Sequence, residues 1–383
     1  MMTTPEATSD WYTIQNVDTL DSPSLLMYAD RVRCNIARMI ERSHGTERLI
    51  PHIKTNKTPA IVEMMLQAGI TRFKCATIAE AEMLAMTGAK YVVIAHQLVP
   101  PKTARLLALK QQYPDVFFAS LLDNTHTAQQ QSDFFAAHEA NSDVLLDVNN
   151  GMNRSGTPLG ASTLALYKHI AALPHLRLHG LHAYDGHIRQ ENFEERKSTI
   201  ESGFHDVETL CKEITAWQGT PPMVIAGGTP AFSVHSAHWE RFRSPGTCVL
   251  WDWGYAEILL EQKYEYAALV LTRIISKPLQ GLISVDMGHK AVAAENPIEK
   301  RIRFLNLESY ELLSQSEEHS VIRISNDALW ERLQVGDALY GVPYHICPTV
   351  NLYDQAYWAE ESPEGITVTG VRAVLARRRK ITV

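Results

Sequence analysis

The chain has 383 residues, of which 21% are charged, and a formal net charge of −7, which suits a globular protein large enough for two domains. Its lysines and arginines do not gather along any predicted helix, which argues against a nucleic-acid partner. The N-terminus has no signal-peptide pattern, no apolar run has membrane-spanning length, and the five cysteines are widely spaced. We therefore predict a cytoplasmic protein with reduced thiols and no membrane contact.

Short apolar segments alternate with longer helical patterns through the first two thirds of the chain. Eight segments have the length and composition of buried strands: Leu49 to Lys54, Arg72 to Cys75, Tyr91 to Ala95, Val116 to Leu121, Val144 to Val148, Leu176 to His182, Met223 to Ala226 and Thr247 to Leu250. Eight strands with intervening helices predict an α/β fold, a closed (β/α)8 TIM barrel at residues 29–255. A doubly wound open sheet has the same pattern and stays an alternative.

The sequence pattern changes after about residue 255. Short β-type runs separated by turn residues replace the helical patterns, which predicts a mainly-β domain formed by residues 256–383. An early strand near Ser24 lies outside the barrel count. We expect residues 1–28 to pair with the second domain.

Lys54 ends the first predicted strand of the barrel. Side-chain alternation puts Ile50, His52 and Lys54 on the face towards the axis, so the amine reaches the C-terminal rim, where barrels of this kind carry out chemistry. Apolar walls there favour a neutral amine, which can attack a carbonyl such as the aldehyde of pyridoxal phosphate. A solvated lysine at a strand end is the other interpretation of this segment.

The loop of residues 147–156 follows the fifth predicted strand. Its glycines permit a tight turn, and Arg154 would direct its guanidinium to the barrel mouth, where it could hold a phenolate or carboxylate oxygen. A surface arginine in a polar loop is the alternative for this motif alone.

Residues 180–187 end the sixth predicted strand. Alternation carries His182 and Tyr184 to the interior face, and Gly186 allows a turn that brings His187 over the site. An imidazole there can act as a general base near neutral pH, although a lone histidine is more often structural.

Two glycine-rich turns flank the last predicted strands, at residues 226–230 and 244–247. Exposed backbone amides in such turns form a phosphate site at the mouth of a barrel, and this pair suits one phosphate monoester. The longer loop that binds nucleoside triphosphates is absent from the sequence.

His345 and Cys347 are the candidate metal ligands of the second domain. In an extended chain their side chains project to the same side and can chelate one cation. Imidazole with thiolate prefers zinc or a neighbouring transition metal, and two protein ligands leave positions free for substrate. A buried cysteine beside a hydrogen-bonded histidine is the alternative.

Taken together and in this order, the motifs resemble those of the D-threonine aldolase and D-serine dehydratase family, which shares the pyridoxal-phosphate barrel of the alanine racemases (fold type III). The resemblance covers nearly the whole chain from about Leu20 onward. It rests on residues 51–55, 151–156, 184–187, 227–230, 245–247, 285–291, 317–319 and 343–349. Their ordered combination is far more specific than any single motif.

The resemblance implies a role for each matching residue of the barrel. Lys54 would hold pyridoxal 5'-phosphate as a Schiff base and exchange the α-proton, Arg154 would bind the phenolic oxygen, and Tyr184 would lie by the pyridine ring. The phosphate would be bound by four residues: Gly228, Thr229, Gly246 and Thr247.

The resemblance also implies a substrate and a metal. The substrate would be a D-amino acid with a β-hydroxyl group, His187 would act on that hydroxyl, and His345 and Cys347 would bind a divalent metal, zinc or manganese. The racemase-like barrels typically complete their sites with a second protomer, so we expect a homodimer.

Two departures from the family pattern bear on the reaction. Ser244 stands where the racemases have an arginine facing the pyridine nitrogen, which weakens the electron sink and counts against racemisation. Cys347 stands where the aldolases tend to carry aspartate, and in this it resembles the dehydratases.

We predict the aldolase reaction, a retro-aldol cleavage to glycine and an aldehyde, because residues 184–187 resemble that branch. The first alternative is the dehydratase reaction, a β-elimination to a keto acid and ammonia, which Cys347 favours. An amino-acid racemase and a non-catalytic pyridoxal-phosphate carrier are more remote, and such carriers usually lack a β domain.

Overall fold

The computed structural model describes residues 10–383, and these residues form two compact units. The first contains the described residues up to Cys34 together with Leu250–Gly254 and Glu265–Val374. The second contains Asn35–Val249, Tyr255–Tyr264 and Leu375–Val383. None of the helices within residues 10–383 combines the length and the apolar character needed to span a bilayer.

A curled parallel sheet forms the centre of the second unit. Within the described residues its main strands follow one another in the sheet in chain order: Arg72–Cys75, Tyr91–Gln97, Phe117–Leu122, Ser142–Asn149, Leu176–Ala183, Met223–Ala226 and Arg241–Arg243. The short strand Thr157–Pro158 pairs with Ser142–Asn149. This order is that of a (β/α) barrel, and the predicted α/β fold class is confirmed.

The extended chain before these strands lies between the first strand and the last. Leu49 forms a parallel bridge to Arg243, and His52 forms a parallel bridge to Lys74. The amide of Ile50 donates to the carbonyl of Arg243 at 2.9 Å. The segment therefore takes the eighth position and completes the ring of the barrel.

The prediction of a strand through Lys54 is wrong at its C-terminal end, because Ile53–Thr55 form a 3-10 turn. Pro51 has no amide to donate to a ladder, and the His52 ring accepts a hydrogen bond from the backbone amide of Lys54 at 3.2 Å. These two local features end the extended conformation before Lys54.

The predicted strand Thr247 to Leu250 is also wrong. The last strand is Arg241–Arg243, and Thr247–Val249 form a 3-10 turn. The amides of Gly246 and Thr247 donate to the hydroxyl of Thr229, so they serve a neighbouring loop instead of a strand ladder.

Helices alternate with the barrel strands, as the sequence predicts. Their observed bounds are Ala29–Arg42, Pro59–Gln67, Ile78–Met86, Lys102–Gln112, Thr125–Ala136, Ala161–Ala171, Phe193–Gln218, Phe232–His235 and Trp253–Ile258. The side chains of Thr77, Asn124 and Asn192 cap three of them by accepting an amide hydrogen bond from the first turn.

Apolar side chains fill the barrel on both faces of the sheet. Inside it, a cluster of buried residues packs beneath the polar rim: Ile50, Val93, Ala119, Leu121, Leu145 and Ile225. Outside it, Val144, Leu146 and Leu181 pack against Phe204 and Tyr167 of two helices. Burial on both faces explains why the sequences of these strands are continuous apolar runs.

The first unit is built on one large, mainly antiparallel sheet. Its strands within the described residues are Ser24–Tyr28, Ala268–Ser276, Leu282–Val285, Ile302–Phe304, Tyr310–Gln315, Ser320–Ile324, Ala338–Pro343, Gln355–Ser362 and Gly365–Ala373. The early strand pairs with Ala268–Ser276 and with Gln355–Ser362, as the sequence predicts. Two short helices, Asp327–Arg332 and Ile346–Val350, complete this unit.

Candidate active site

A cavity of about 410 Å³ opens at the carboxyl ends of the barrel strands. The first five main strands, from Arg72–Cys75 to Leu176–Ala183, contribute their last residues or the loop that follows, as expected for the functional end of a barrel. Its lining includes the polar side chains of Lys54, Lys74, Asp147, Arg154, His182 and Tyr184. It therefore brings together three of the predicted site residues, Lys54, Arg154 and Tyr184.

The Lys54 side chain is half-buried and directs its amine into this cavity. The amine lies 6.0 Å from the centre of the Tyr184 ring and forms no hydrogen bond or ion pair with any residue between 10 and 383. The neighbouring His52 is buried, and burial together with the Lys54 and Lys74 cations holds its pKa well below the ordinary value. His52 is therefore neutral and acts as the cap of the Lys54 turn.

Tyr184 presents its ring to three cationic groups. The Arg154 guanidinium carbon lies 4.9 Å from the ring centre, and the Lys74 amine lies 5.7 Å from it. Two glycines make room for the ring, because a Cβ at Gly186 would come within 2.2 Å of the Tyr184 oxygen and a Cβ at Gly228 within 2.8 Å of Cε2. The ring is a fixed aromatic wall of the cavity.

The two predicted phosphate turns meet at one hydroxyl group. Thr229 Oγ1 accepts hydrogen bonds from the amide of Gly246 at 3.1 Å and from the amide of Thr247 at 3.0 Å. Two amides that converge on one oxygen have the geometry that a phosphate oxygen requires. In the structure of residues 10–383, neither these turns nor Gly228 belongs to the residues that line the cavity.

His187 does not join Lys54 in the cavity defined by the described residues. Its side chain is exposed and packs against Gly151, where a Cβ would stand 3.1 Å from the imidazole Nε2. The turn at residues 184–187 therefore directs this imidazole to the rim of the loop that contains Arg154. Its predicted action on the substrate hydroxyl stays a prediction.

A buried cluster on the cavity wall was missed by the sequence reasoning. His182 Nδ1 lies 2.7 Å from Asp147 Oδ1, and Lys74 Nζ lies 3.4 Å from His182 Nε2. Ser155 donates from its hydroxyl to the other oxygen of Asp147 at 2.9 Å. One sequence feature could have revealed the cluster. Lys74 lies inside the four-residue strand Arg72–Cys75, although strands of a parallel barrel are usually apolar.

The electrostatics of this cluster follow from its burial. Burial and the nearby Lys54 cation lower the pKa of Lys74 to about 7. Burial and the Lys74 cation also lower the pKa of His182, although Asp147 opposes them. For Asp147, burial acts to raise the pKa, but its contacts with His182, Ser155 and Lys74 outweigh burial and lower it, so the carboxylate is ionised.

The candidate metal ligands lie in the first unit. His345 is the N-cap of helix Ile346–Val350 and Cys347 lies within that helix, so the extended conformation assumed for the pair is wrong. A contact from a distant part of the chain accounts for this, since Asp252 accepts the amide hydrogen bond of Ile346 at 3.1 Å and starts the helical turn. The two side chains nevertheless interact with each other.

Acidic groups surround His345. Its Nδ1 lies 2.6 Å from Glu295 Oε1. Burial acts to lower the pKa of His345, but the interactions with Cys347, Asp252 and Glu295 raise it to about 9. Imidazole, thiol and carboxylate are donors that suit zinc. Across residues 10–383, no group of three or more such side chains is arranged to hold a metal ion, so the pair remains a two-ligand candidate.

The barrel with a lysine at its mouth and the separate β unit define an alanine racemase-like protein. The family described as "Alanine racemase, N-terminal domain" matches residues 28–250, and the chain belongs to this family. A second family, "Putative serine dehydratase domain", matches residues 267–359.

Characterised relatives agree with this family. The chain is 26% identical over 340 residues to a D-threonine aldolase of an Arthrobacter species, and the match covers 88% of both chains. It is 23% identical over 353 residues to a D-threo-3-hydroxyaspartate dehydratase of a Delftia species, covering 86% of this chain and 92% of the relative. The resemblance found in the sequence is confirmed.

Solved structures show the same fold. The D-threonine aldolase of Filomicrobium marinum is 26% identical and superposes with a TM-score of 0.84, covering 93% of this chain and 95% of the other. A second structure is that of a D-threo-3-hydroxyaspartate dehydratase, a cysteine-to-alanine mutant in the metal-free form. It is 21% identical with a TM-score of 0.79, and the match covers 93% of this chain and 98% of the dehydratase chain.

Proposed function

We propose that this protein is a pyridoxal-phosphate- and divalent-metal-dependent lyase that cleaves D-β-hydroxy-α-amino acids to glycine and an aldehyde. The observation that carries the proposal is the Lys54 amine, which opens into the cavity beside Tyr184 without a bonding partner among the described residues. The similarity to D-threonine aldolases in sequence and in structure supports the aldolase reaction.

The residues present fit this cofactor. When bound, pyridoxal phosphate supplies an electron sink for the bond that breaks at the α-carbon. Lys54 offers the amine that holds its aldehyde carbon, Tyr184 offers an aromatic face, and Arg154 a cation for its phenolic oxygen. The amides of Gly246 and Thr247, which converge on the Thr229 hydroxyl, offer donors for the phosphate.

Ser244 bears on the type of reaction. Its hydroxyl donates to the carbonyl of Ile50 at 2.9 Å, so this position supplies a neutral group committed to the backbone. A carboxylate partner would keep the pyridine nitrogen protonated, whereas a neutral hydroxyl leaves it unprotonated and a weaker electron sink. This favours a reaction assisted at the β-hydroxyl over racemisation.

A divalent cation at His345 and Cys347 would polarise the substrate hydroxyl as a Lewis acid. The donors near this pair, with the carboxylate of Glu295 in contact with His345, support zinc or manganese. Cys347 also supports a second candidate function, the β-elimination of the dehydratases.

The deciding experiment is an assay of the purified protein with D-threonine and D-serine, before and after chelation of divalent metals. Glycine and an aldehyde from D-threonine, lost on chelation and restored by zinc or manganese, are expected. Keto acid and ammonia in their place would favour the dehydratase reaction. Full conversion after chelation of a D-amino acid without a β-hydroxyl would contradict both lyase functions and favour a racemase.

A matched pair of lysine variants tests the cofactor site. Borohydride reduction of the protein loaded with pyridoxal phosphate should fix the cofactor on Lys54, as seen by peptide mass spectrometry. Lys54→Met should abolish this adduct and the imine absorbance, whereas Lys102→Met, at an exposed lysine of helix Lys102–Gln112, should retain both. An adduct on any other lysine would overturn the assignment.

A further inference from the structure

Lys74 is the most deeply buried amine of the cavity, with 2% of its surface exposed. It projects from strand Arg72–Cys75 into the barrel and lines the same cavity as Lys54. The proposed function assigns it no task. A buried lysine that forms no ion pair with the described residues is costly, so its place beside the cofactor pocket calls for a chemical explanation.

The hydrogen-bond chain that begins at Lys74 defines where its proton can go. The Asp147 carboxylate is ionised and only accepts, so the His182 Nδ1 that faces it at 2.7 Å carries a hydrogen. In a neutral ring Nε2 is then an acceptor, and it faces the Lys74 amine at 3.4 Å. One proton can therefore sit on Lys74 Nζ or on His182 Nε2.

A second proton on this pair is disfavoured. With both groups protonated, two positive charges would face each other at 3.4 Å in a buried setting. With one proton, either arrangement keeps the contact, and the Asp147 carboxylate balances the single charge. The pair therefore titrates as one coupled unit.

The groups that face Lys74 come from several elements. The segment before the first strand contributes Lys54 and His52; the loop after strand Ser142–Asn149 contributes Arg154, and the turn after strand Leu176–Ala183 contributes Asp185. Lys54 and Arg154 lower the pKa of Lys74, whereas Asp185, like Asp147, raises it. Burial remains the largest effect, and the result is a pKa of about 7.

We propose that Lys74 and His182 share one proton inside the cavity, and that this proton sets the pH dependence of the pyridoxal phosphate held at Lys54. The inference rests on the proposed function for the identity of the cofactor. Lys74 acts here as a positioning residue, because its charge acts on the cofactor through the Tyr184 wall and the neighbouring Lys54 amine. Loss of the shared proton to solvent removes one positive charge beside the cofactor.

The test is a pH titration of the visible absorbance of the protein loaded with pyridoxal phosphate. The wild-type spectrum should change in one step as the shared proton is lost, with a midpoint set by the Lys74–His182 pair. In Lys74→Met the step should disappear or its midpoint should move by at least about one pH unit, a tenfold change in proton affinity. Lys74→Gln is the second variant in case the first does not fold.

The chain contains a chemically matched control. Lys110 forms an ion pair with Asp143 at 2.7 Å, and His179 contacts the same carboxylate at 2.9 Å, so a lysine, an aspartate and a histidine also meet near the other end of the barrel strands. Lys110→Met removes a lysine from a similar set outside the cavity. This control variant should leave the spectral step in place. The proposal is overturned if the wild type shows no spectral step, or if Lys74→Met has the same midpoint as the wild type.

A second readout separates this inference from the proposed function. In the full-length protein without cofactor, the imidazole proton resonance of His182, assigned by its loss in His182→Gln, should also move as the shared proton is lost. In Lys74→Met its midpoint should fall, because the proton then has one site instead of two and His182 loses the neutral Lys74 amine as a partner. If pyridoxal phosphate does not bind at all, the proposed function fails, and this titration still decides whether the proton is shared.

Discussion

At the scale of single residues, the cavity brings three cationic side chains to one aromatic ring. Lys54, Lys74 and Arg154 all approach the Tyr184 ring, and Asp147 contacts this group through His182. Because the amines are partly or fully removed from water, small changes in protonation have large effects on the local charge. The cavity is thus prepared for an anionic ligand that also carries a carbonyl.

The buried Lys74 makes the stability of the folded protein depend on pH. Its pKa is about 7 when folded and has the ordinary value of 10.5 when unfolded, so between these values the unfolded chain binds more protons. The free energy of unfolding should therefore rise with pH across this window in the wild type relative to Lys74→Met, by on the order of 2 to 4 kcal/mol.

Urea denaturation of both proteins at about pH 7 and about pH 10 measures this difference. Lys110→Met serves again as the control, since Lys110 forms its ion pair with Asp143 outside the cavity. Equal pH dependence of the wild type and Lys74→Met would show that Lys74 is not buried as an uncharged amine.

Gly228 determines where the Tyr184 ring can lie. The added Cβ of Gly228→Ala would stand 2.8 Å from Cε2 of the ring, closer than real contacts allow, so the ring must shift. We expect at least about tenfold weaker binding of pyridoxal phosphate with little loss of stability, measured by absorbance titration. Gly203→Ala, in the middle of helix Phe193–Gln218, has its nearest neighbour at 3.8 Å and should bind the cofactor normally.

At the scale of elements, periodicity predicts the bounds of a segment well where burial of its apolar side chains determines its conformation. Strands Arg72–Cys75 and Met223–Ala226 have the bounds that the pattern predicts. The failures lie at residues 53–55 and 247–249, where side-chain and loop hydrogen bonds override the extended conformation. Both lie at the functional end of the barrel, where the chain has to turn towards the cavity.

Strand Leu176–Ala183 depends on one glycine at its pairing edge. Gly180 has a φ of +153°, and a Cβ there would stand 2.0 Å from the carbonyl oxygen of Met223 in the neighbouring strand. Gly180→Ala should therefore separate the two strands and destabilise the protein by more than about 2 kcal/mol. Thermal and urea denaturation measure the loss, and Gly203→Ala should be neutral or slightly stabilising in the same experiments.

At the scale of the whole molecule, the two units differ in how they are assembled from the chain. The barrel unit is built from near neighbours in sequence, because each strand pairs with the next along the chain. The β unit draws strand Ser24–Tyr28 between Ala268–Ser276 and Gln355–Ser362, which lie more than 240 residues later. Such distant pairing carries an entropic cost of loop closure, which the barrel also meets at the bridge between Leu49 and Arg243.

The proposed homodimer is a prediction at this scale. Light scattering should give twice the monomer mass of 43.0 kDa at micromolar concentration. Dilution should then reduce the activity with D-threonine while the absorbance of bound cofactor is retained. A fully active protein of 43.0 kDa would contradict the homodimer.

The sequence by itself determined the family, the order of the barrel and β segments, and the candidate residues Lys54, Arg154 and Tyr184, because motifs and periodicity are local properties of the chain. Only the tertiary structure decided that Lys74, Asp147 and His182 meet, since they come from three strands separated by up to 108 residues. It also decided that the segment before Lys54 completes the barrel and ends in a tight turn. Contacts of this kind depend on strand register and burial, which a linear pattern does not contain.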